Sequence, residues 1–471
     1  MTPTRRATPP SPAEALTRDA QEQVALLEAF LVTTQHCFGA WATLFAPVQD
    51  PRVPHRITYP LVSLLFSGTL LFLCRLGSRR QVTHRLRRNG AAAALFQALF
   101  GVATCPHGDT LNATFSRLDP DQGQAVVTDL GRTLIRKKVL DRYRLLGRYF
   151  VIAIDGTGRL TFPKRHCPHC LTVTHHGQTT YYHPVLEAKL VCPNGLIISL
   201  LTEFVETAGE NPTKQDCELT AFSRLAKRLK QAFPRLPICL SLDGLFAGGP
   251  TMTICEDYGW KYLITLQQDD IPYLNQEFAA LWPLASENSL RLHTGPQNEI
   301  QQDYRWVNDI TSVDSKDQTH TVGVLEGQES TPRADGTSQT TRFKWITNFT
   351  LRSQGNQKYQ AIDLANHGGR IRWKIENAGF NVQKNGGFNL EHASTRDPVA
   401  SKIFYFLLQI AHLLAQLIEK GSLFRQAFPA GVGSAKNLAF RLLEAWRNRP
   451  LSATQIQDML QIRRQIRFAP P

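Results

Sequence analysis

A chain of 471 residues has room for about three domains at roughly 100–200 residues each. With 53 Lys and Arg against 39 Asp and Glu, a net charge of +14 and 42% hydrophobic residues, it is neither a disordered acidic chain nor a collagen-like one, and its basic surface favours a polyanionic partner. Nine cysteines, an odd number scattered along the chain, argue against a disulfide framework and leave thiols for metal or core roles.

Residues 1–14, rich in Pro, Thr and Arg, read as a disordered tail without a secretory signal, so a cytoplasmic location is expected. Residues 15–147 read as a helical N-terminal domain. AQEQVALLEAFLVTTQHCFGAW and AAAALFQALFG repeat apolar residues three and four positions apart. The longest apolar run, Leu61 to Cys74, is shorter than the roughly 20 residues of a spanning helix and is closed by Arg75. A buried helix and no membrane association are therefore expected. The stretch 75–88 carries Arg75, Arg79, Arg80, Arg85, Arg87 and Arg88 with no acid among them, a pattern suited to phosphate contact. A second basic cluster runs from Arg132 to Arg148.

At Tyr149 the period changes. FVIAID, YYHPVLEAKLV, LIISLLTEFVE, PICLSLDG and WKYLITLQQD read as strands, and CELTAFSRLAKRLKQAF as an amphipathic helix, so residues 148–286 predict a mixed α/β sheet flanked by helices. Residues 287–350, rich in Thr, Ser, Gln and Asp, read as a β-rich insertion with a turn at Asp335-Gly336. Helices return over 351–395 and in the C-terminal region 396–471, where SKIFYFLLQIAHLLAQLIEKG is stopped by Gly421.

Two apolar runs end alike, in Asp155-Gly156 and in Asp243-Gly244. Carboxylates held at strand ends beside glycine turns suit a hard metal, although an isolated Asp-Gly is more often a plain turn. A third element, RIRWKIENAGFNVQKNGGFNLEH over 370–392, reads as a helix that sets Glu376 one turn after Arg372, with Trp373, Ile375 and Phe380 marking a buried flank. Cys167-x₂-Cys170 with His183 and one of His175 or His176, of which His176 is taken here, makes a candidate tetrahedral zinc set; His166 and His169 lie nearby. Trp306 and Trp345 in the insertion are candidates for stacking on a base, although core packing is the commoner fate of such residues. Asp216 and Glu218 read as helix-start acids outside the main set.

In order along the chain, IDGTG, HCPHC…YYH, KQDCE, SLDGLFA and RWKIEN…KNGGFNLEH resemble the DDE transposases of bacterial insertion sequences, in the group whose RNase H-like core is interrupted by a β-rich insertion before the last acid. The resemblance implies an RNase H-like core formed by 148–286 and 351–395, with Asp155, Asp243 and Glu376 as the catalytic triad holding two Mg²⁺ ions, replaceable by Mn²⁺. It further implies double-stranded DNA, both element ends and target, as partner, a nucleoid-associated location on DNA, and a homodimer in the DNA-bound synaptic complex. Arg372, Lys384, Arg79, Arg80, Arg87 and Arg88 are the expected DNA contacts. The alternatives are a non-catalytic DNA-binding protein derived from a transposase and a related RNase H-like nuclease.

Two positions depart from the family signature, which places a Tyr three residues before the Arg and a Lys seven after the Glu. Those positions hold Gly369 and Gln383, and Lys384 follows one place late. On an ideal helix position 383 returns to within about 20° of Glu376, whereas Lys384 lies about 80° away.

Overall fold

The computed structural model describes residues 12–206, 216–314, 316–333, 335–461 and 464–468. Most of the expected disordered tail, residues 1–11, lies outside the described residues; at Pro12 a helix has already begun. The chain divides into two compact units, one formed by residues 1–133 with 382–469 and the other by residues 134–381.

The first unit is helical. Leu61–Leu73 forms one helix, buried along most of its length, as its unbroken apolar run requires. Gly90–Phe100 starts where the Asn89 side chain accepts from the Ala92 amide at 2.9 Å, and it stops at Gly101, whose φ of 68° is the left-handed turn that glycine adopts without a side-chain clash. Phe66 from the first of these helices packs its ring 5.8 Å from Phe96 and 5.6 Å from Trp446, and Phe30 closes the cluster. Pro398–Lys420, capped by Asp397 at the Ala400 amide, is the one helix among the described residues long and apolar enough to cross a bilayer. Its apolar window is 83% buried against protein, the state of a core helix.

The second unit is mixed α/β around a ten-stranded sheet. Its strands are β1 (Phe150–Phe162), β2 (Leu171–His175), β3 (Gln178–Val191), β4 (Ile197–Phe204), β5 (Ile238–Leu242), β6 (Lys261–Thr265), β7 (Ser289–Thr294), β8 (Ile300–Val313), β9 (Thr319–Pro332) and β10 (Ser338–Thr347). They lie in the order β2-β3-β1-β5-β6-β10-β9-β8-β7, and β4 also pairs with β3. β1, β5 and β6 run parallel, whereas β1–β3 and β3–β4 are antiparallel. The β-rich stretch does not form a separate sheet: β10 pairs with β6 through Trp345↔Thr265 and continues the same one.

The helix Glu218–Ala232 buries Ala221, Phe222, Leu225, Ala226 and Leu229 on one stripe. Phe222, Leu225 and Leu229 each contribute about 1.5–3 kcal/mol by leaving water. Arg224 and Arg228 on its polar side both pair with Glu203 of β4, at 2.6 and 2.8 Å. A second helical layer, residues 360–381, covers the other strand face: Ile375 and Phe380 share one buried cluster with Val151, Ala153 and Val191 of β1 and β3. This layer is not one regular α-helix. Residues 370–372 make a 3₁₀ turn and Ile375–Phe380 a π turn, so the simple one-turn spacing of Arg372 and Glu376 does not hold.

Candidate active site

Strand register places the two aspartates. In the parallel pair β1–β5, Ala153 is aligned with Ser241, so Asp155 and Asp243 each lie two residues further on and share a face of the sheet. Both lie beyond the last paired residues of the parallel pair: Asp243 follows the end of β5, whereas Asp155 lies within β1, which does not stop at Asp155-Gly156 but runs on to Phe162 paired with β3. The layer carrying Glu376 packs over this same face, anchored by the Ser241 hydroxyl donating to the Gly368 carbonyl at 2.8 Å. Arg372 Nη1 lies 3.4 Å from Asp155 Oδ2.

The charges of the acids meet at Asp155, although among the described residues the three do not form a cluster with donor atoms close enough to share one ion. Burial pushes the Asp155 carboxyl up to about 6; the Arg372 guanidinium opposes this, and the negative charges of Asp243 and Glu376 add to it. Asp243 is raised as well, first by burial and against the pull of Arg372, while its carboxylate accepts from the Leu245 amide at 3.1 Å.

Glu218 belongs to this group, which the sequence reading missed. Its carboxyl is raised by burial and by the charges of Asp155 and Asp243. It approaches β1 from the opposite face, where Gly156 makes room: a Cβ there would lie 2.0 Å from Glu218 Oε1. Gly244 plays the same part for Asp270, whose Oδ2 would stand 2.3 Å from an added Cβ. The glycine of each Asp-Gly pair thus serves close approach by a second acid. Asp216, by contrast, is committed to Arg224 at 2.6 Å and acts as a helix anchor.

The pH dependence follows from Asp155. Its carboxyl titrates near 3.8 when unperturbed and at about 6 in the fold, so between these values the folded chain holds a proton that the unfolded chain has lost. Stability contributed by this group is full below about pH 4 and disappears as pH rises through about 6. Without divalent cations, the melting temperature of Asp155→Asn relative to wild type is expected to rise between about pH 4 and 7. A pH-independent difference would contradict the raised carboxyl.

Beside Asp243 opens a cleft of about 730 Å³, lined by Arg342 and Lys344 of β10 and by Arg370, Arg372 and Trp373. Trp373 is 57% exposed there, not part of a buried flank. Trp306 and Trp345 are 0% and 3% exposed and serve the core, which removes them as base-stacking candidates. The Trp345 ring also fills the space beside Gly369, where an added Cβ would lie 2.3 Å from it.

In the helical unit, the four arginines divide. Arg79 Nε donates to the Ser394 carbonyl at 2.8 Å, and Arg87 Nη1 to Tyr59 Oη at 2.7 Å and the Cys105 carbonyl at 2.8 Å, so both are spent on the fold. Arg80 and Arg88 are exposed and line a cleft of about 460 Å³ with His84, His107 and His392. Gln383 is fully buried and donates to Gln409 Oε1 at 2.8 Å, while Lys384 pairs with Glu391 at 3.2 Å. The signature's lysine position is therefore a core polar residue here.

The Cys-His segment converges, with one change of ligand. His166, Cys167, Cys170 and His183 bring their donor atoms within 4.8 Å of one another. His176 does not join them. Leu171 is paired with Tyr182, which sets Cys170 beside His183, whereas His175 pairs with Gln178 and His176 sits at the tip of the β2–β3 hairpin with φ 48°. Six residues of extended strand separate Cys170 from His176, roughly 20 Å.

No protein-family model matches the chain, and no curated protein matches it.

Proposed function

We propose that the protein is a DNA transposase of the DDE class, cutting phosphodiester bonds at the ends of a mobile element and joining the freed 3′ ends to target DNA. The observation that carries this reading is the arrival of Asp155 and Asp243 on one face of the sheet, each two residues past the last pair of the parallel β1–β5 ladder, with the charge of Glu376 felt at Asp155. Parallel β1, β5 and β6 beside the antiparallel β1–β3–β4 run support an RNase H-like core.

The acids fit a hard divalent cation: the donors are all carboxylate oxygens, burial raises Asp155 and Asp243 despite Arg372, and the charges of Asp243 and Glu376 add to this at Asp155. Asp155, Asp243 and Glu376 would hold Mg²⁺, as two ions that Mn²⁺ can replace, and the ions would stabilise charge building on the attacked phosphate. The protein's own groups do the rest. Arg372, beside Asp155 and in the cleft, binds a backbone phosphate near the scissile bond. Arg342, Lys344 and Arg370 extend the basic wall along which a strand can lie. Exposed Trp373 offers a flat face next to it. In the helical unit, Arg80 and Arg88 supply duplex contacts. Synapsis of two ends requires a dimer on DNA, and DNA as substrate places the protein in the cytoplasm at the nucleoid.

The test is strand cleavage of a labelled duplex carrying the sequences that flank the reading frame, with Mg²⁺ or Mn²⁺. Nicking at the element end that requires the cation supports the reading. Binding without nicking under any divalent condition would favour a non-catalytic DNA-binding protein, to which the altered positions Gly369 and Gln383 would then belong.

A further inference from the structure

We propose that His166, Cys167, Cys170 and His183 form a closed, tetrahedral zinc site that fastens the loop between β1 and β2 to β3. The distances between donor atoms are those of a coordination shell. Cys167 Sγ lies 3.5 Å from Cys170 Sγ and 3.4 Å from His183 Nε2; Cys170 Sγ lies 3.4 Å from His166 Nδ1 and 3.3 Å from His183 Nε2. A tetrahedron with Zn–S of about 2.3 Å and Zn–N of about 2.0–2.1 Å has edges of about 3.3–3.8 Å. The sulfurs are too far apart for a disulfide, which needs about 2.05 Å, and both cysteines are free thiols.

The donor chemistry selects the ion. Two thiolates and two imidazoles are soft and borderline ligands that favour zinc and reject Mg²⁺. Four protein ligands leave no open position, so the site is structural. Its members come from two places: His166, Cys167 and Cys170 from the connecting loop, and His183 from β3 opposite Leu160 of β1. His166 also packs its ring 4.0 Å from that of Phe162, the last residue of β1. Cys170 and His183 are 1% and 5% exposed, which fixes one side of the site in the sheet while His166 closes it from the solvent side. β1 also carries Asp155, so the ion would brace a strand that holds one of the proposed catalytic acids. This inference is independent of whether those acids cleave DNA.

The full chain, purified without chelators, is expected to contain about one zinc by elemental analysis, and replacement by Co²⁺ should give the visible spectrum of a tetrahedral thiolate site. Cys170→Ser and His166→Ala should each lower bound zinc at least about tenfold, while His175→Ala and His176→Ala leave it unchanged. His166→Cys, which keeps four ligands, should retain the ion and controls for variants that fail to fold. Wild-type protein with neither zinc nor Co²⁺ uptake would overturn the site. So would zinc retained in His166→Ala but lost in His176→Ala, or a Cys167–Cys170 disulfide found by peptide mapping of protein handled without oxidant.

Discussion

Asp155→Asn is expected to lower divalent-dependent cleavage of element-end duplexes by about 10³-fold or more while leaving duplex binding within about twofold, because a group acting on transition-state charge is lost without loss of the basic surface. The substitution keeps the shape of the side chain and the hydrogen bond that Asp155 Oδ1 accepts from the Gly156 amide could be kept by the amide oxygen. What disappears is the negative charge at the point where Asp243, Glu376 and Arg372 all act. Glu376→Gln is expected to match it in the same assay. Equal loss of binding and cleavage in either variant would show instead that these residues hold the fold or the DNA, not the reaction.

The second large effect lies beneath the site. Glu187 stands opposite Asp155 in the β1–β3 ladder, and Lys189 stands opposite Ala153. Both are fully buried, with Lys189 Nζ 3.4 Å from Glu187 Oε2 and 5.1 Å from the centre of the Phe380 ring. Glu187 also accepts from the Ser199 hydroxyl at 2.5 Å and from that of Thr202. Burial pushes the Lys189 ammonium down, and the Glu187 charge opposes this. Lys189→Met removes the countercharge and is expected to cost about 3–5 kcal/mol in chemical denaturation, since an unpaired buried carboxylate remains. Adding Glu187→Gln should restore most of the loss. A single variant within about 1 kcal/mol of wild type would mean that the pair is not what stabilises this part of the sheet.

These two sets of residues differ in how plainly the sequence announces them. Asp155 and Asp243 are legible because each ends a continuous apolar run, the mark of a strand buried on both faces, and Asp-Gly then breaks the run. Their common face is not legible, because it follows from the Ala153↔Ser241 register, which no local pattern encodes. Glu218 was within reach in the KQDCE stretch, but a helix-start acid has an ordinary capping role, and only the space at Gly156 shows that it leans toward Asp155.

The zinc ligands show the same limit. Spacing finds Cys167, Cys170 and His183, but choosing the fourth ligand requires the β2–β3 hairpin, whose tip carries His176 away. β2 and β7 are not legible either, because they are largely exposed, whereas β5 and β6 are as short but mostly buried. Composition separates the β-rich stretch at 287–350 from its surroundings, yet cannot show that β10 joins it to β6 in one sheet. Aromatic residues mislead for a related reason: Trp306, Trp345 and Trp373 look alike in sequence, and only packing sorts two into the core and one onto the cleft.

Mn²⁺ titration of the 471-residue chain, followed by electron paramagnetic resonance, tests most directly whether the three acids grip a cation together. Wild type should bind Mn²⁺, and Asp155→Asn, Asp243→Asn and Glu376→Gln should each weaken binding at least about tenfold, about 1.4 kcal/mol. Wild-type affinity preserved in all three variants would contradict the account.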